Sequence, residues 1–261
     1  MLTKQNQEKI LELVKQAKPL ILREMAKEKV TVKGAANYVT NVDFAVQNFL
    51  KTELEKEFPR IPMVAEEKEN ESLTAGGSCW ILDPIDGTTN LIWDYHLSAV
   101  ALGLYENGEI TFGAVYNPFT EELFHAAKGC GAYLNEKRIQ VSDLDDFKDA
   151  VVSFGSSPYE KERAQKLFPM FYRIFMECSD FRRTGSAALD ICYVACGRQH
   201  AFLEPNLKPW DYSAASIILS EAGGSTAAWD GTAVPYLKNS DILACAPQFK
   251  ETLEQLLLRD Q

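Results

Sequence analysis

Apolar residues recur at helical spacing over residues 6–27, where Ile10, Leu13, Val14, Ala17, Leu20, Ile21 and Met25 share one face and lysines and glutamates take the other. That pattern predicts an amphipathic helix. Residues 29–38 read as a polar link containing Gly34. Thr40-Asn41-Val42-Asp43 opens a second helix with Ala45, Val46, Phe49, Leu50 and Leu54 on one face, and Thr40 with Asp43 three positions later reads as a capping box. A short apolar strand over residues 61–65 delivers Glu66-Glu67 at its end, followed by the polar loop 68–78. Residues 79–82 form a second apolar run, and because Pro84 cannot donate to a ladder, the sheet is predicted to stop near Asp83. Residues 97–141 alternate strands with turns at Glu106-Asn107-Gly108, Asn117-Pro118 and Lys128-Gly129, which predicts an antiparallel meander. From Ala150 strands and helices alternate: a strand at 151–154, a helix through Met176, a helix opening at Gly185, a strand at 201–203 and a helix from Asp211. An α/β layered half is predicted there.

The chemistry concentrates where the predicted strands end. Trp80-Ile81-Leu82-Asp83-Pro84-Ile85-Asp86-Gly87-Thr88-Thr89-Asn90 brings two carboxylates to one strand end, and Glu66 stands at another. Two ionised carboxylates about 4 Å apart repel by about 4 kcal/mol at an intermediate dielectric, so converging them favours a bound cation. Hard oxygen donors point to Mg²⁺. Each feature also has a plain structural explanation. Asp-Pro and Asp-Gly are ordinary turn dipeptides. Capping accounts for Asp43, the helix dipole for Asp211 beside Trp210, and small-residue packing for Gly185-Ser186-Ala187.

Composition narrows the partners. At 261 residues, 46% hydrophobic and 25% charged, the chain is ordinary globular material. A formal charge of −10, with no run of lysine or arginine, argues against nucleic acid. A phosphate ester would be repelled as well, unless bound cations reverse the local sign. Six cysteines lie in apolar surroundings without a CxxC pair, which predicts reduced thiols; Cys192 and Cys196 would need histidines for zinc that His96, His125 and His200 do not supply nearby. The N-terminal segment is charged and amphipathic, and no long apolar span occurs, so no membrane partner and a cytoplasmic location are expected.

The eleven-residue string closely resembles a signature of the inositol monophosphatase family. A second family signature is similar to Trp210-Asp211-Tyr212-Ser213-Ala214-Ala215 through Glu221-Ala222-Gly223-Gly224, so the resemblance spans nearly the whole chain. It implies an α/β, αβαβα sandwich of the inositol monophosphatase and fructose-1,6-bisphosphatase type. The expected sub-domains are 1–145, with an antiparallel sheet and the metal motif, and 146–261. The implied activity is Mg²⁺-dependent, lithium-sensitive hydrolysis of inositol monophosphates by direct attack of water, in a homodimer. Glu66, Asp83 and the Ile85 carbonyl would hold one ion, Asp83, Asp86 and Asp211 a second, and Glu66 a weak third. Glu66 and Thr88 would orient the water, with Asp43 near Thr88 and the weakest metal position. Backbone N–H groups of Gly87 and Thr88 would receive the phosphate. Gly185, Ser186, Ala187 and Glu204 would face substrate together with Asp86 and Asp211, and Lys33 would approach from a mobile loop. Ala65 stands where the family has glycine, and Asn37 where aspartate is common. The same chemistry on NADP(H), fructose 1,6-bisphosphate or a phosphoadenosine nucleotide is the first alternative. A non-catalytic ligand-binding or partner protein is the second.

Overall fold

The structure, a computed structural model, describes residues 2–27, 30–34, 37–67 and 77–258. In chain order the elements are α1 (Lys4–Met25), β1 (Val30–Gly34), β2 (Asn37–Thr40), α2 (Asn41–Glu57), β3 (Met63–Ala65), β4 (Ser78–Asp86), α3 (Thr88–Ile92), β5 (Ala99–Glu106), β6 (Glu109–Asn117), β7 (Glu122–Ala127), β8 (Ala132–Leu134), β9 (Lys137–Ile139), β10 (Val151–Phe154), α4 (Ala164–Glu177), β11 (Asp180–Arg182), α5 (Ala187–Ala195), β12 (Ala201–Leu207), α6 (Pro209–Glu221), β13 (Ser225–Ala228), β14 (Ser240–Cys245) and α7 (Lys250–Leu258).

Strands β3 to β9 pair in chain order as a seven-stranded sheet, antiparallel except for β3 beside β4. A five-stranded sheet runs β11-β10-β12-β14-β13. The period-two alternation of β4 shows how the layers form. Trp80 and Leu82 face α1 and α2, packing with Ile10, Val14, Val46 and Leu50. Cys79 and Ile81 face the other way, onto α5 and α6, whose far sides meet Phe202, Ile242 and Ala244 of the second sheet. Val152, Leu203 and Leu243 then turn outward onto Phe171 and Ile174 of α4 and Phe249 and Leu253 near α7. The result is the expected αβαβα sandwich. Among the described residues no helix is long and apolar enough to cross a membrane.

Helix α6 is sandwiched so closely that side chains are excluded from one contact. A Cβ added at Gly113 would lie 2.2 Å from the Ala214 carbonyl oxygen, and one at Gly103 3.3 Å from the Ala214 nitrogen. Backbone therefore rests on backbone, which fixes the height of α6 above the sheet.

Two expectations need correction. Residues 30–34 and 37–40 are antiparallel strands, pairing Val30 with Thr40, Thr31 with Val39 and Val32 with Tyr38, where a polar link was expected. Their β-branched residues are good strand formers, and two short strands satisfy each other's backbone groups. The sheet also does not stop at Asp83. β4 pairs with β5 continuously down to Asp83–Ala101 and again at Asp86–Ala99, so three steps on β4 oppose two on β5. Pro84 sits inside that bulge, where its missing N–H leaves no gap in the ladder.

Candidate active site

The bulge explains why both aspartates serve one site. In a regular strand, residues three apart face opposite sides; one extra residue brings Asp86 back to the side of Asp83. Their partners Ala101 and Ala99 both belong to the core layer beneath α5 and α6, which confirms the facing. Glu66 arrives from the adjacent strand end, where its N–H donates to the Leu82 carbonyl (3.3 Å). The buried Gln47 of α2 clamps the turn beside it, with Nε2 donating to the Glu67 carbonyl and the Glu67 N–H donating to Oε1, both at 3.1 Å.

A cavity of about 320 Å³ collects Glu66, Asp83, Ile85, Asp86, Gly87, Thr88, Gly185, Ser186, Ala187, Glu204 and Asp211, all expected on sequence grounds. Asp43 stands behind this wall. It closes the capping box of α2, accepting at Oδ2 from the Thr40 N–H (2.8 Å) and hydroxyl (2.6 Å). Its Oδ1 lies 3.1 Å from Thr88 Oγ1, which is also 3.1 Å from the Ile85 carbonyl. Capping and contact with Thr88 are thus one arrangement. The side chain of Lys33 lies outside the described residues.

The second half of the chain closes the site. Ser186 caps α5, and its hydroxyl donates to Asp86 Oδ2 (2.6 Å), as does the Ala188 N–H (2.8 Å). Asp86 therefore sits at the positive end of α5 as well as on β4. Helix α5 begins at Ala187, two residues after the expected Gly185, which adopts φ +86° in the turn before it. Gly87 has φ +86° too, and a Cβ there would lie 2.9 Å from the Leu97 carbonyl. Asp211 Oδ2 accepts from the Lys208 N–H (2.7 Å) at the start of α6. Glu204 Oε1 accepts from the Ser157 N–H (3.2 Å).

Several participants escaped the sequence reading. Asn90 Nδ2 ties Leu97 to Thr184 through their carbonyls, at 2.7 and 2.8 Å. Gly155 leaves room for Glu204, whose carboxylate would stand 1.9 Å from a Cβ. Asp190 also lines the cavity. Asn90 closes the eleven-residue string without a role assigned to it there, Asp190 is a lone carboxylate in an apolar run, and Gly155 left no local signal.

Six carboxyls, Glu66, Asp83, Asp86, Asp190, Glu204 and Asp211, against the single Arg183, line this cavity among the described residues. Their acidity reflects that. Asp83 is held well above the usual carboxylate range, first by burial and then by the charges of Glu66, Asp86, Asp211 and Asp43. Burial and the charges of Asp86 and Glu66 raise Asp211 in the same way. Asp86 is pushed up to about 6 by burial, opposed by the Ser186 hydroxyl and the α5 N–H groups. Glu204 and Asp190, buried likewise, rise to about 7. Among the described residues no three acidic, histidine or cysteine side chains close into a cage for an ion. The donor set nevertheless fits a hard divalent cation: oxygen ligands only, mutually repelling, with no histidine or cysteine on the wall. All six cysteines are unpaired, as expected, and three are buried.

The profile of the inositol monophosphatase family matches residues 2–261. The chain belongs to that family. The "Nus factor SuhB" of Vibrio cholerae is 35% identical over 233 residues, covering 87% of this chain and 85% of that protein. A solved IMPase/NADP phosphatase complexed with Mg²⁺ and phosphate superposes with a TM-score of 0.90 at 26% identity, over 98% of this chain and 96% of its own. A dual specific IMPase/NADP phosphatase bound with D-inositol-1-phosphate gives 0.89 at 26% identity, over 100% and 98%. Membership in the inositol monophosphatase family thus rests on the full length of the chain.

Proposed function

We propose that this protein is a Mg²⁺-dependent phosphomonoesterase acting on inositol monophosphates. One observation carries the reading: among the described residues six carboxyls face one cavity with a single arginine, a site that repels a phosphate ester until cations reverse its sign. Glu66, Asp83, Asp86, Asp211 and the Ile85 carbonyl are the donors that would hold two or three ions. Such ions, when bound, supply charge neutralisation and acidify water. The chain's own groups do the positioning. Thr88, fixed by Asp43 and the Ile85 carbonyl, presents its hydroxyl to the attacking water together with Glu66. The turn at Gly87 and Thr88 offers N–H groups to the phosphate. Glu204 and the segment Gly185-Ser186-Ala187 face the alcohol. The D-inositol-1-phosphate complex of a relative supports the substrate choice.

Phosphate release is measured over a panel including myo-inositol 1-phosphate, NADP, fructose 1,6-bisphosphate and a 3′-phosphoadenosine nucleotide, with and without Mg²⁺. Fastest turnover on the inositol ester is expected, and turnover undiminished in chelator would overturn the metal requirement. Lithium should inhibit it. A homodimer is supported by an exposed apolar stripe on α4, Phe168, Tyr172, Phe175 and Met176, and sedimentation tests it. A second reading, a partner protein without turnover, is favoured by the name of the Vibrio cholerae relative. No turnover on any ester, with Mg²⁺ binding intact, would select it.

A further inference from the structure

A line of hydrogen bonds runs from the interior of the five-stranded sheet to the cavity. The Ser153 hydroxyl of β10 donates to Gln199 Oε1, and Gln199 Nε2 donates to Asp190 Oδ1 (3.2 Å). Thr184 Oγ1 donates to Asp190 Oδ2 (2.7 Å). With its proton committed there, the same oxygen accepts from the Ser186 N–H (3.3 Å). Ser186 then passes the sequence on to Asp86 through its own hydroxyl. Asp190 accepts at both oxygens, so it sets the direction of every bond on either side. Without an acceptor at 190, the Thr184 proton is left with the Ser186 carbonyl at 3.4 Å, a contact that competes with acceptance from the Ser186 N–H. Ser153, Asp190 and Ser186 are at most 1% exposed, so most of the line lies out of contact with bulk water.

We infer that Asp190 is a positioning residue: acting through Thr184, it fixes the Gly185-Ser186 turn and with it the carboxylate of Asp86. What Asp86 then does rests on the phosphatase reading; the bond line itself does not. A shift of this turn would misplace both a ligand carboxylate and the substrate-facing start of α5, and misplacement of about 1 Å commonly costs up to about 100-fold in rate.

The test uses the full chain and the variants Asp190→Ala, Asp190→Asn, Thr184→Val and Asp190→Ala/Thr184→Val. The first measurement, amide hydrogen exchange, needs neither metal nor turnover. Ser186 and Ala188 should exchange about tenfold faster in Asp190→Ala and Thr184→Val, with amides of α6 unchanged. Asp190→Asn should recover most of the protection. Its carbonyl can still accept from Thr184, and a flip of the Gln199 amide meets the new NH₂ group. The second measurement is the Mg²⁺-induced rise in melting temperature together with kcat. Both should fall in Asp190→Ala and Thr184→Val, kcat by about tenfold or more, and the double variant should be no worse than either single one. Unchanged exchange at Ser186 and Ala188, additive losses in the double variant, or Asp190→Asn as impaired as Asp190→Ala would each overturn the inference. A wild type that lacks turnover yet shows the expected exchange pattern would refute the phosphatase reading and leave the positioning role standing.

Discussion

Glu204→Gln separates the stability of this site from its recognition of substrate. The carboxyl is raised from its ordinary 4.5 to about 7, chiefly by burial, opposed by the Ser157 N–H and raised further by Asp86 and Asp190. At about 1.4 kcal/mol per pH unit, the ionised side chain costs the metal-free fold about 3 kcal/mol. The sign follows from the direction. Below pH 4.5 the group is protonated in both folded and unfolded chains and costs nothing. The cost grows as pH rises toward 7 and is constant above. Glutamine keeps the acceptor for Ser157 and carries no charge. In chelator at pH 8 the variant should therefore melt about 6 °C higher than wild type, and at pH 4 at the same temperature. Activity should move the other way. If Glu204 accepts hydrogen bonds from a polyol, its loss removes about 1.5–3 kcal/mol from kcat/KM on an inositol monophosphate, roughly 10- to 150-fold. A simple aryl phosphate should barely notice. Equal losses on both esters, or a variant less stable than wild type at pH 8, would refute the reasoning.

Further outcomes follow from neighbouring contacts. Gly155→Ala would push the flexible Glu204 carboxylate out of its place. Stability should change by less than about 1 kcal/mol while the inositol ester loses activity as in Glu204→Gln, read by paired melting and kinetic assays. Asp83→Asn should abolish turnover, remove the Mg²⁺-induced rise in melting temperature, and leave the metal-free chain at least as stable at pH 8, because one of several mutually repelling charges is gone. An unchanged Mg²⁺ response in that variant would place the ion elsewhere. Gly113→Ala drives a methyl group into the backbone of α6. A loss of about 3 kcal/mol or more is expected in urea denaturation, and a loss under about 1 kcal/mol would show that α6 can lift away from the sheet.

Much of the site was legible because strands delivered it. The runs ending in Glu66 and Asp83, the capping box of Thr40 and Asp43, and the Trp210-Asp211 helix start are local patterns; Glu66, Asp83 and Asp211 line the cavity, and Asp43 stands behind it against Thr88. The misplaced end of β4 shows where local reasoning stops. Pro84 reads equally as a terminator or as a bulge, and only pairing with β5 decides. The tie from Ser186 to Asp86 spans 100 positions and left no local trace. The approach of Gly155 to Glu204 and of Gly113 to Ala214 depends on how layers stack, which spacing along a single element does not encode. The β1–β2 pair was lost in the polar composition of residues 29–38. β13, β14 and α7 drew no prediction, since mixed apolar and polar runs of that length fit either period.

The bonds from Ser186 and Ala188 to Asp86 join the two sheets' territories, since Asp86 is carried by the seven-stranded sheet and its partners by the helix layer leading into the other. Glu66 and Asp83 arrive on the first territory, and Glu204 and Asp211 on the second. During synthesis the first territory emerges alone, carrying acidic groups with nothing to face. Any species that binds between the two then has a mechanical effect besides a chemical one: it resists their separation in proportion to the logarithm of its concentration over its dissociation constant. If the proposed cations bind there, their level would set how long the assembled molecule survives proteolysis.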